Sequence, residues 1–600
     1  MKEQQIDFAQ YGKTNTPCVI CVGNHPPIIQ SILDFDYMIG RKEPSVRAII
    51  AGGRKFERYF FGEREIAIPV YNSGRDLNKT WSCQDQVLFL NVSSGRRVYA
   101  STIELLENIP SIDGGVLFAE NMPEQHATQL IEYAKEHNIW IIGPASVGLL
   151  VPGQLKLGAI AGVDYAQLQS ARAATRGNVA VFSASGGMTN ELIWNVTKSG
   201  HTISFALSFG GDRFPIFSPA QAFLAAENDA ETTHIVYYGE LGGDDEYEIV
   251  RLKNEGKITK PILAFIAGTI SELFAEPPQF GHAKAMAKTH GESARAKRAA
   301  LREAGIASPD SFAEFLTLID TISMDDKNKN EDEGTVPSIS TRKKALFMSS
   351  ISQEKDGKIE VLGSDLAELG SSTTFAELLI SMFLGKKVKS KEVVEFVDTV
   401  LKLLIDHGPH VSGAVNTMIT ARAGKDMVSS LAAGILTIGP RFGGAINEAA
   451  HNWFTAVEQG VPPQDFVESF AAKKQYISGI GHKKYRTDNP DPRVATLLTF
   501  VEKMESKKYT SFALQVEAIT TDKKANLILN LDGAVAAIML DLLAEKEDFT
   551  AEKLKECIDT EFFNALFIFP RSAGFIAHFL DQKRLDEGLF RLPEDEVLFV

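Results

Sequence analysis

Residues 322–338, ISMDDKNKNEDEGTVPS, are charged, polar and almost free of apolar periodicity, and the chain reads differently on either side of them. A stretch with no apolar face to bury cannot join a core, so it reads as an exposed linker between separately packed bodies. Upstream, short apolar runs alternate with amphipathic segments. PCVICVG, SVRAII, DQVLFLNV, GGVLFAE, NIWIIGP, NVAVFSAS, HTISFALSFG, THIVYYGE and KPILAFIAG have the character of buried strands. PEQHATQLIEYAKEHN and MTNELIWNVTKSG, which lie between them, have a helical period. Strand–helix alternation of this kind implies doubly wound α/β domains with largely parallel sheets. Nine strands suit two sheets, with a break over 159–176, so domains are expected over 1–165 and 166–323. Downstream, EVVEFVDTVLKLLIDHG, KDMVSSLAAGILTIG and DGAVAAIMLDLLAEK repeat apolar residues at helical spacing. A linker over 324–341 and an all-α domain over 342–600 follow.

The bulk numbers narrow the function classes. A formal charge of −15, with no long basic run, argues against nucleic acid as a partner. Cys18, Cys21, Cys83 and Cys557 are too few and too scattered for a disulfide framework, and Cys18 and Cys21 sit in an apolar run that reads as a buried strand rather than a redox pair. MKEQQIDFAQ lacks the apolar core of a signal peptide. No uninterrupted apolar run reaches the ~18 residues of a membrane span. A cytoplasmic protein without a membrane partner is expected.

Three stretches of the first half carry chemistry. In FSASGGMTNELIW a strand runs into a helix through Ser185, Gly186 and Gly187. Unpaired N–H groups and the positive end of the helix dipole make such a junction an anion site, although an ordinary capped turn has the same residues. His282 stands in FGHAKAMAKTHGESARAKRAALREAGI, ahead of a basic helix starting near Ser293. No ligand spacing around it suits a tetrahedral metal; a core histidine and a nucleophile both remain open. Glu240, in IVYYGELGGDDEYE, follows a strand directly. A carboxylate bonded to one imidazole nitrogen fixes the tautomer and leaves the other nitrogen as a nucleophile.

Taken in order, these stretches resemble the α chain of succinyl-CoA synthetase and its relatives, the nucleoside-diphosphate-forming acyl-CoA ligases. The resemblance implies a Rossmann-like CoA-binding domain, beginning near CVICVGNHPP, and a flavodoxin-like ligase domain. It makes His282 a phosphohistidine, Glu240 its orienting carboxylate, and Ser185, Gly186 and Gly187 the holders of the phosphoryl or acyl group. Glu120, in FAENMPE, would be a second carboxylate near the histidine.

The helical half holds DHGPHVSGAVNT, RFGGAINEA, GIGHKKYRTDNPDPR, LNLDGAVAA and FPRSAGFIAH. Each stretch alone suits a helix end. Together they supply histidines, arginines and an aspartate to an apolar domain, a set able to grip a polycarboxylate and move protons. The order resembles citrate synthase. That resemblance gives His407 and His482 to the hydroxyl and carboxylates of citrate, with His482 taking the hydroxyl proton. Arg493 and Arg571 would grip carboxylates, Asp532 would be the acid–base residue at the acetyl methyl, and Arg591 would reach across a dimer interface. Citrate synthases carry a histidine in GPLHGGAN; here GPRFGGAIN puts Phe442 in its place.

A ligase α-like half joined to a citrate synthase-like half resembles the ATP citrate lyases. This implies ATP- and CoA-dependent cleavage of citrate to acetyl-CoA and oxaloacetate through phosphohistidine, citryl phosphate and citryl-CoA. No ATP-grasp domain and no G-x-x-x-x-G-K-[ST] loop is recognised. ATP and Mg2+ are therefore expected on an ATP-grasp β-type partner subunit, and self-association through the helical domain as a dimer or tetramer core. Two alternatives remain: a ligase half fused to a forward citrate or methylcitrate synthase, and a non-catalytic oligomerising subunit.

Overall fold

The computed structural model describes residues 6–274, 278–279, 281–282, 284–322, 337–339, 341–439, 444–502 and 504–600. Its contacts divide the chain into two units, Met1–Leu346 and Phe347–Val600.

In the first unit, one sheet is built from β1 (Cys18–Val22), β2 (Val46–Ile50), β3 (Phe56–Phe61), β4 (Arg64–Tyr71), β5 (Val87–Asn91), β6 (Ile112–Leu117) and β7 (Trp140–Ile142), in the order β3-β4-β2-β1-β5-β6-β7. Its pairs are parallel apart from the β3–β4 hairpin. Every residue of β1 and β5 is buried, because helices cover both faces; this is why CVICV and VLFLN show no alternation. A second sheet is built from β8 (Gly148–Val151), β9 (Leu155–Gly158), β10 (Val179–Ser183), β11 (Ile203–Ser208), β12 (His234–Glu240) and β13 (Ile262–Ala267), in the order β13-β12-β10-β11-β8-β9. β10 to β13 are parallel, and the β8–β9 hairpin closes one edge antiparallel to β11.

Both sheets wind the same way. From β1 the chain goes to β2 on one side and later returns to β5 on the other; from β10 it goes to β11 and returns to β12. Each reversal opens a crevice at the carboxyl ends of the two strands where it occurs, the usual place for a ligand in an open α/β sheet.

Several sequence expectations need correction. The second sheet takes its edge strands from residues 148–158, upstream of the expected 165/166 boundary. Residues 342–346 belong with the first unit: Arg342 forms an ion pair with Asp34 and donates to Gly62 O at 3.2 Å, and Ala345 N donates to Glu65 Oε2 at 2.6 Å. The second unit is not purely helical, since Ser352–Lys355, Lys358–Val361 and Ser364–Asp365 form a small antiparallel sheet. A disulfide joins Cys18 to Cys83, while Cys21 and Cys557 are free and buried.

The second unit is otherwise helical and packs around helix Leu531–Lys546, which is buried from Gly533 to Leu543 on all sides. A helix with no polar face belongs in the middle of a bundle, and this one contacts helices Lys391–Leu404, Ala445–Glu458, Pro492–Val501 and Lys508–Lys523. Helix Phe562–Leu585 is long and apolar enough to cross a bilayer by length and composition. It packs instead against Lys391–Leu404, Ser412–Arg422, Met427–Ile435 and Ala445–Glu458 and buries Arg571, as a core helix does.

Candidate active site

His282 and Glu240 come together at the crevice between β10 and β12. Glu240 ends β12, and its Oε2 and Oε1 lie 2.9 and 3.2 Å from His282 Nδ1. A carboxylate accepts, so Nδ1 carries a proton toward it and Nε2 is the remaining nucleophilic nitrogen. The hydrogen bond to Glu240 raises the pKa of His282 above its ordinary 6.5; half-burial opposes this, and the charges of Glu240, Glu120 and Asp212 add to it.

Strand register places the anion-binding turn beside this pair. Ser183 pairs with Tyr238; Ser185 and Glu240 each lie two residues further on, at the carboxyl ends of neighbouring strands ~4.8 Å apart. Ser185 caps helix Gly186–Lys198, its Oγ accepting from Met188 N at 3.4 Å. The first N–H groups of that helix, at Gly186 and Gly187, have no intrahelical acceptor. A Cβ on Gly186 would stand 2.4 Å from Val147 Cγ1, whereas Gly187 faces open space.

The structure adds residues that the sequence did not single out. After β11, Gly211 forms one wall for the imidazole: a Cβ there would lie 2.4 Å from His282 Cδ2. Lys297 is fully buried and donates to Glu240 O at 3.0 Å, Gly242 O at 2.6 Å and Glu246 Oε2 at 2.5 Å. It holds the turn that carries the orienting carboxylate. Gly-Gly directly after a strand was the only local sign of Gly211, and the basic helix pattern hid Lys297 among exposed cations.

In the helical unit, a loop and a helix start are tied together by backbone. Gly481 N donates to Ile528 O at 2.7 Å, His482 N to Asn526 O at 3.0 Å and Asn530 N to Gly479 O at 3.0 Å. Asn530 caps helix Leu531–Lys546 through Gly533 N, and its Nδ2 donates to Gly481 O at 3.0 Å. Gly479 has φ +95°, and a Cβ on Gly533 would lie 2.4 Å from Gly479 O. Two glycines therefore permit the approach that brings His482 and Asp532 to one place.

Backbone contacts fix the tautomer of His482. Nδ1 accepts from Lys484 N and Tyr485 N, each at 3.0 Å, so the proton resides on Nε2. Burial, with Arg493 and Lys484, lowers its pKa against the pull of Asp491. A ring in this state donates from Nε2 and has no site there for another proton. This corrects the expectation that His482 takes the hydroxyl proton.

Asp491 caps helix Pro492–Val501 and also grips Arg493, accepting Nε at 3.0 Å and Nη2 at 2.7 Å. The remaining Nη1 donates to His407 Nδ1 at 3.2 Å. Burial first, then Arg493, Arg571, His410 and His482, hold His407 below the usual histidine range. Asp532 is raised to about 6 by burial, with Arg493 and Arg571 pulling it down. Its surroundings enclose it even though some of its surface reaches solvent. His407, His482, Arg493, Asp532 and Arg571 thus form one electrostatic cluster.

Arg571 is 2% exposed, and its Nε and Nη1 are buried without a hydrogen-bond partner. Gly574, one turn on, lets the helix approach Ile405 O, 2.1 Å from where a Cβ would stand. A buried guanidinium with open donors is built for a carboxylate that arrives from outside. Without that ligand it is a cost, so Arg571→Met is expected to raise the thermal midpoint of the protein, by ~1–3 kcal/mol of stability, measured by calorimetry in the absence of substrate. Arg591 is exposed in the C-terminal segment and is not among the charges that act on Asp532 or His407. Phe442 lies outside the described residues.

Comparison with known proteins matches both halves. The model of the citrate synthase C-terminal domain covers residues 282–592, and the CoA-ligase model covers residues 182–307. ATP-citrate synthase subunit 1 of Sordaria macrospora is 36% identical over 98% of this chain and 89% of its own. The ATP-citrate synthase of Bos taurus is 37% identical over 95% of this chain but only 54% of its own length. The solved structure of ATP citrate lyase from Methanothrix soehngenii in complex with citrate and coenzyme A is 33% identical, covers 98% of this chain and 97% of that one, and superposes with a TM-score of 0.51. With such relatives along nearly its whole length, this chain is an enzyme of the ATP-citrate synthase family, the ATP citrate lyases.

Proposed function

We propose that the chain runs two consecutive stages of citrate cleavage. In the first, His282 Nε2 accepts a phosphoryl group from ATP and passes it to a citrate carboxylate; CoA then displaces phosphate to give citryl-CoA. In the second, the helical unit splits citryl-CoA into acetyl-CoA and oxaloacetate. The observation that carries this reading is the imidazole held through Nδ1 by Glu240 at a sheet crevice, on the same chain as a histidine–arginine–aspartate cluster built for carboxylates.

Glu240 stabilises the charge that develops on the ring as Nε2 attacks phosphorus. The N–H groups at Gly186 and Gly187 suit the phosphoryl oxygens. CoA suits the crevice between β1 and β5, where Arg96 and Arg97 stand at the start of helix Val98–Asn108, whose N-terminus has no side-chain cap. In the lyase stage Arg493 and Arg571 hold substrate carboxylates. His482 donates from Nε2 to the hydroxyl oxygen, whose own proton leaves to water as the C–C bond breaks and that oxygen becomes the oxaloacetate carbonyl. Asp532, protonated, delivers its proton to the departing enol carbon and regains one from solvent.

ATP and Mg2+ belong, on this reading, to an ATP-grasp partner subunit, and helical units of two or more copies associate. The extra length of the bovine relative accords with a fused counterpart of that subunit. The test is incubation with ATP labelled in its γ-phosphate, with and without a candidate ATP-grasp partner, followed by mass spectrometry. Acid-labile label on His282 only when the partner is present is expected; label elsewhere, or none with any partner, refutes the assignment.

Gly211→Ala is expected to lower the rate of His282 phosphorylation ~100-fold, because its methyl must push the ring off Glu240 and a displacement near 1 Å costs about that much. Cleavage of supplied citryl-CoA, a property of the other unit, serves as the control and should not change.

A further inference from the structure

The loop after β11 reads FGGDRF over residues 209–214. Gly210 lies against Pro144 O, and Gly211 lies against His282. The next residue, Asp212, turns the other way. Its Oδ2 accepts from Met122 N at 3.3 Å. Arg213 then pairs with Glu124 at 3.3 Å. Residues 120–124 follow β6, in the other sheet, and include Glu120, whose charge reaches both His282 and Asp212. Asn121 has φ +61°, and a Cβ on Gly95 would lie 2.3 Å from Glu120 O. The turn is therefore pressed from one side by its own domain and held from the other by Asp212 and Arg213.

We infer that Asp212 is a positioning residue: by accepting the N–H of Met122, it latches the turn bearing Glu120 to the loop that walls His282. A solvated loop aspartate would not bond an amide in the turn that follows a strand of another sheet. An ion pair made by the adjacent residue to the same turn strengthens the latch. The catalytic consequence rests on the reading of His282 as the phosphorylated nucleophile; the latch itself does not.

Two measurements separate these. Hydrogen exchange of the intact chain, followed over residues 118–126, reads the latch. Asp212→Ala should speed exchange there ~10-fold or more, with β10 unchanged, because the Met122 amide loses its acceptor. Asp212→Asn, whose carbonyl oxygen can still accept, should stay near wild type. Transfer of the phosphoryl group from phosphorylated His282 to citrate, with the ATP-grasp partner present, reads the consequence. Asp212→Ala should lower kcat ~30-fold while KM for citrate stays within about twofold, and Asp212→Asn should recover most of the rate. Exchange in β10 at the wild-type rate reports that the first unit of each variant is folded. Unchanged exchange in Asp212→Ala overturns the latch. An Asn variant as slow as Ala overturns the positioning role in favour of a requirement for charge. A wild-type chain never labelled on His282 refutes the phosphohistidine reading, and exchange still decides the latch.

Discussion

Replacing His282 by alanine is expected to reduce ATP-dependent release of oxaloacetate from citrate by at least ~10³-fold while leaving cleavage of supplied citryl-CoA within about twofold. The size follows from the role: a covalent carrier has no substitute when its nucleophilic atom is gone. The selectivity follows from the architecture, since His282 belongs to the unit Met1–Leu346 and the lyase cluster to Phe347–Val600. Equal loss in both assays would mean that the variant is misfolded or that the two stages are not separable; undiminished citrate cleavage would eliminate the phosphohistidine. pH adds a second check. Nε2 attacks only from the neutral ring, and Glu240 holds the pKa above 6.5, so single-turnover phosphorylation should rise with pH through a value above that of an ordinary histidine. Glu240→Gln removes the main cause of the upward shift. Its profile should move to lower pH, with a maximal rate ~10²-fold below wild type, because the developing imidazolium loses its carboxylate.

Asp532→Asn is expected to lower citryl-CoA cleavage by ~10²–10⁴-fold and at the same time to stabilise the protein at pH 8. On the proposed reading Asp532 is the acid in cleavage, which makes its protonated form the active one. With the pKa raised to about 6, kcat/KM for citryl-CoA should fall as pH rises past about 6. Substrate carboxylates neutralise Arg493 and Arg571, which otherwise pull the value down, so the fall in kcat should come at higher pH than the fall in kcat/KM. The stability effect has the same origin. The unfolded carboxyl titrates near 3.8 and the folded one near 6, so between these values the folded state binds the extra proton. Stability is lost as pH rises through that window. An amide does not ionise, so the Asn variant should gain up to ~3 kcal/mol over wild type at pH 8 and nothing below pH 4. Chemical denaturation at the two pH values measures it. A variant that keeps full lyase activity would return Asp532 to a structural role.

Some of this organisation was legible in consecutive residues. PCVICVG, NVAVFSAS and the other continuous apolar runs mark strands buried on both faces, and the break at 322–338 separates two textures of chain. Ser185 before Gly-Gly marks a helix start. Asp-Pro-Arg at 491–493 writes its own cap, although its hold on Arg493 was not foreseen. The hairpins β3–β4 and β8–β9 escaped notice for a physical reason. β3–β4 lies at a sheet edge with residues half exposed, in FERYFF and REIAIPVY, so charges interrupt the apolar signal. β8–β9 is fully buried but only four residues a strand, with its turn in PGQ, too short for a period to register.

The chemical inventory lay in the sequence, because helix caps, turn glycines and buried periodicity act within a few residues of themselves. Geometry between distant residues did not. That Glu240 meets Nδ1 of His282 depends on the order β12-β10-β11. That Gly533 lies against Gly479, 54 positions away in the chain, depends on two elements packing without side chains between them. Which nitrogen of His482 carries its proton was decided by two backbone amides bonded to Nδ1. A tautomer is set by what surrounds a ring in space, and only the folded chain supplies those surroundings.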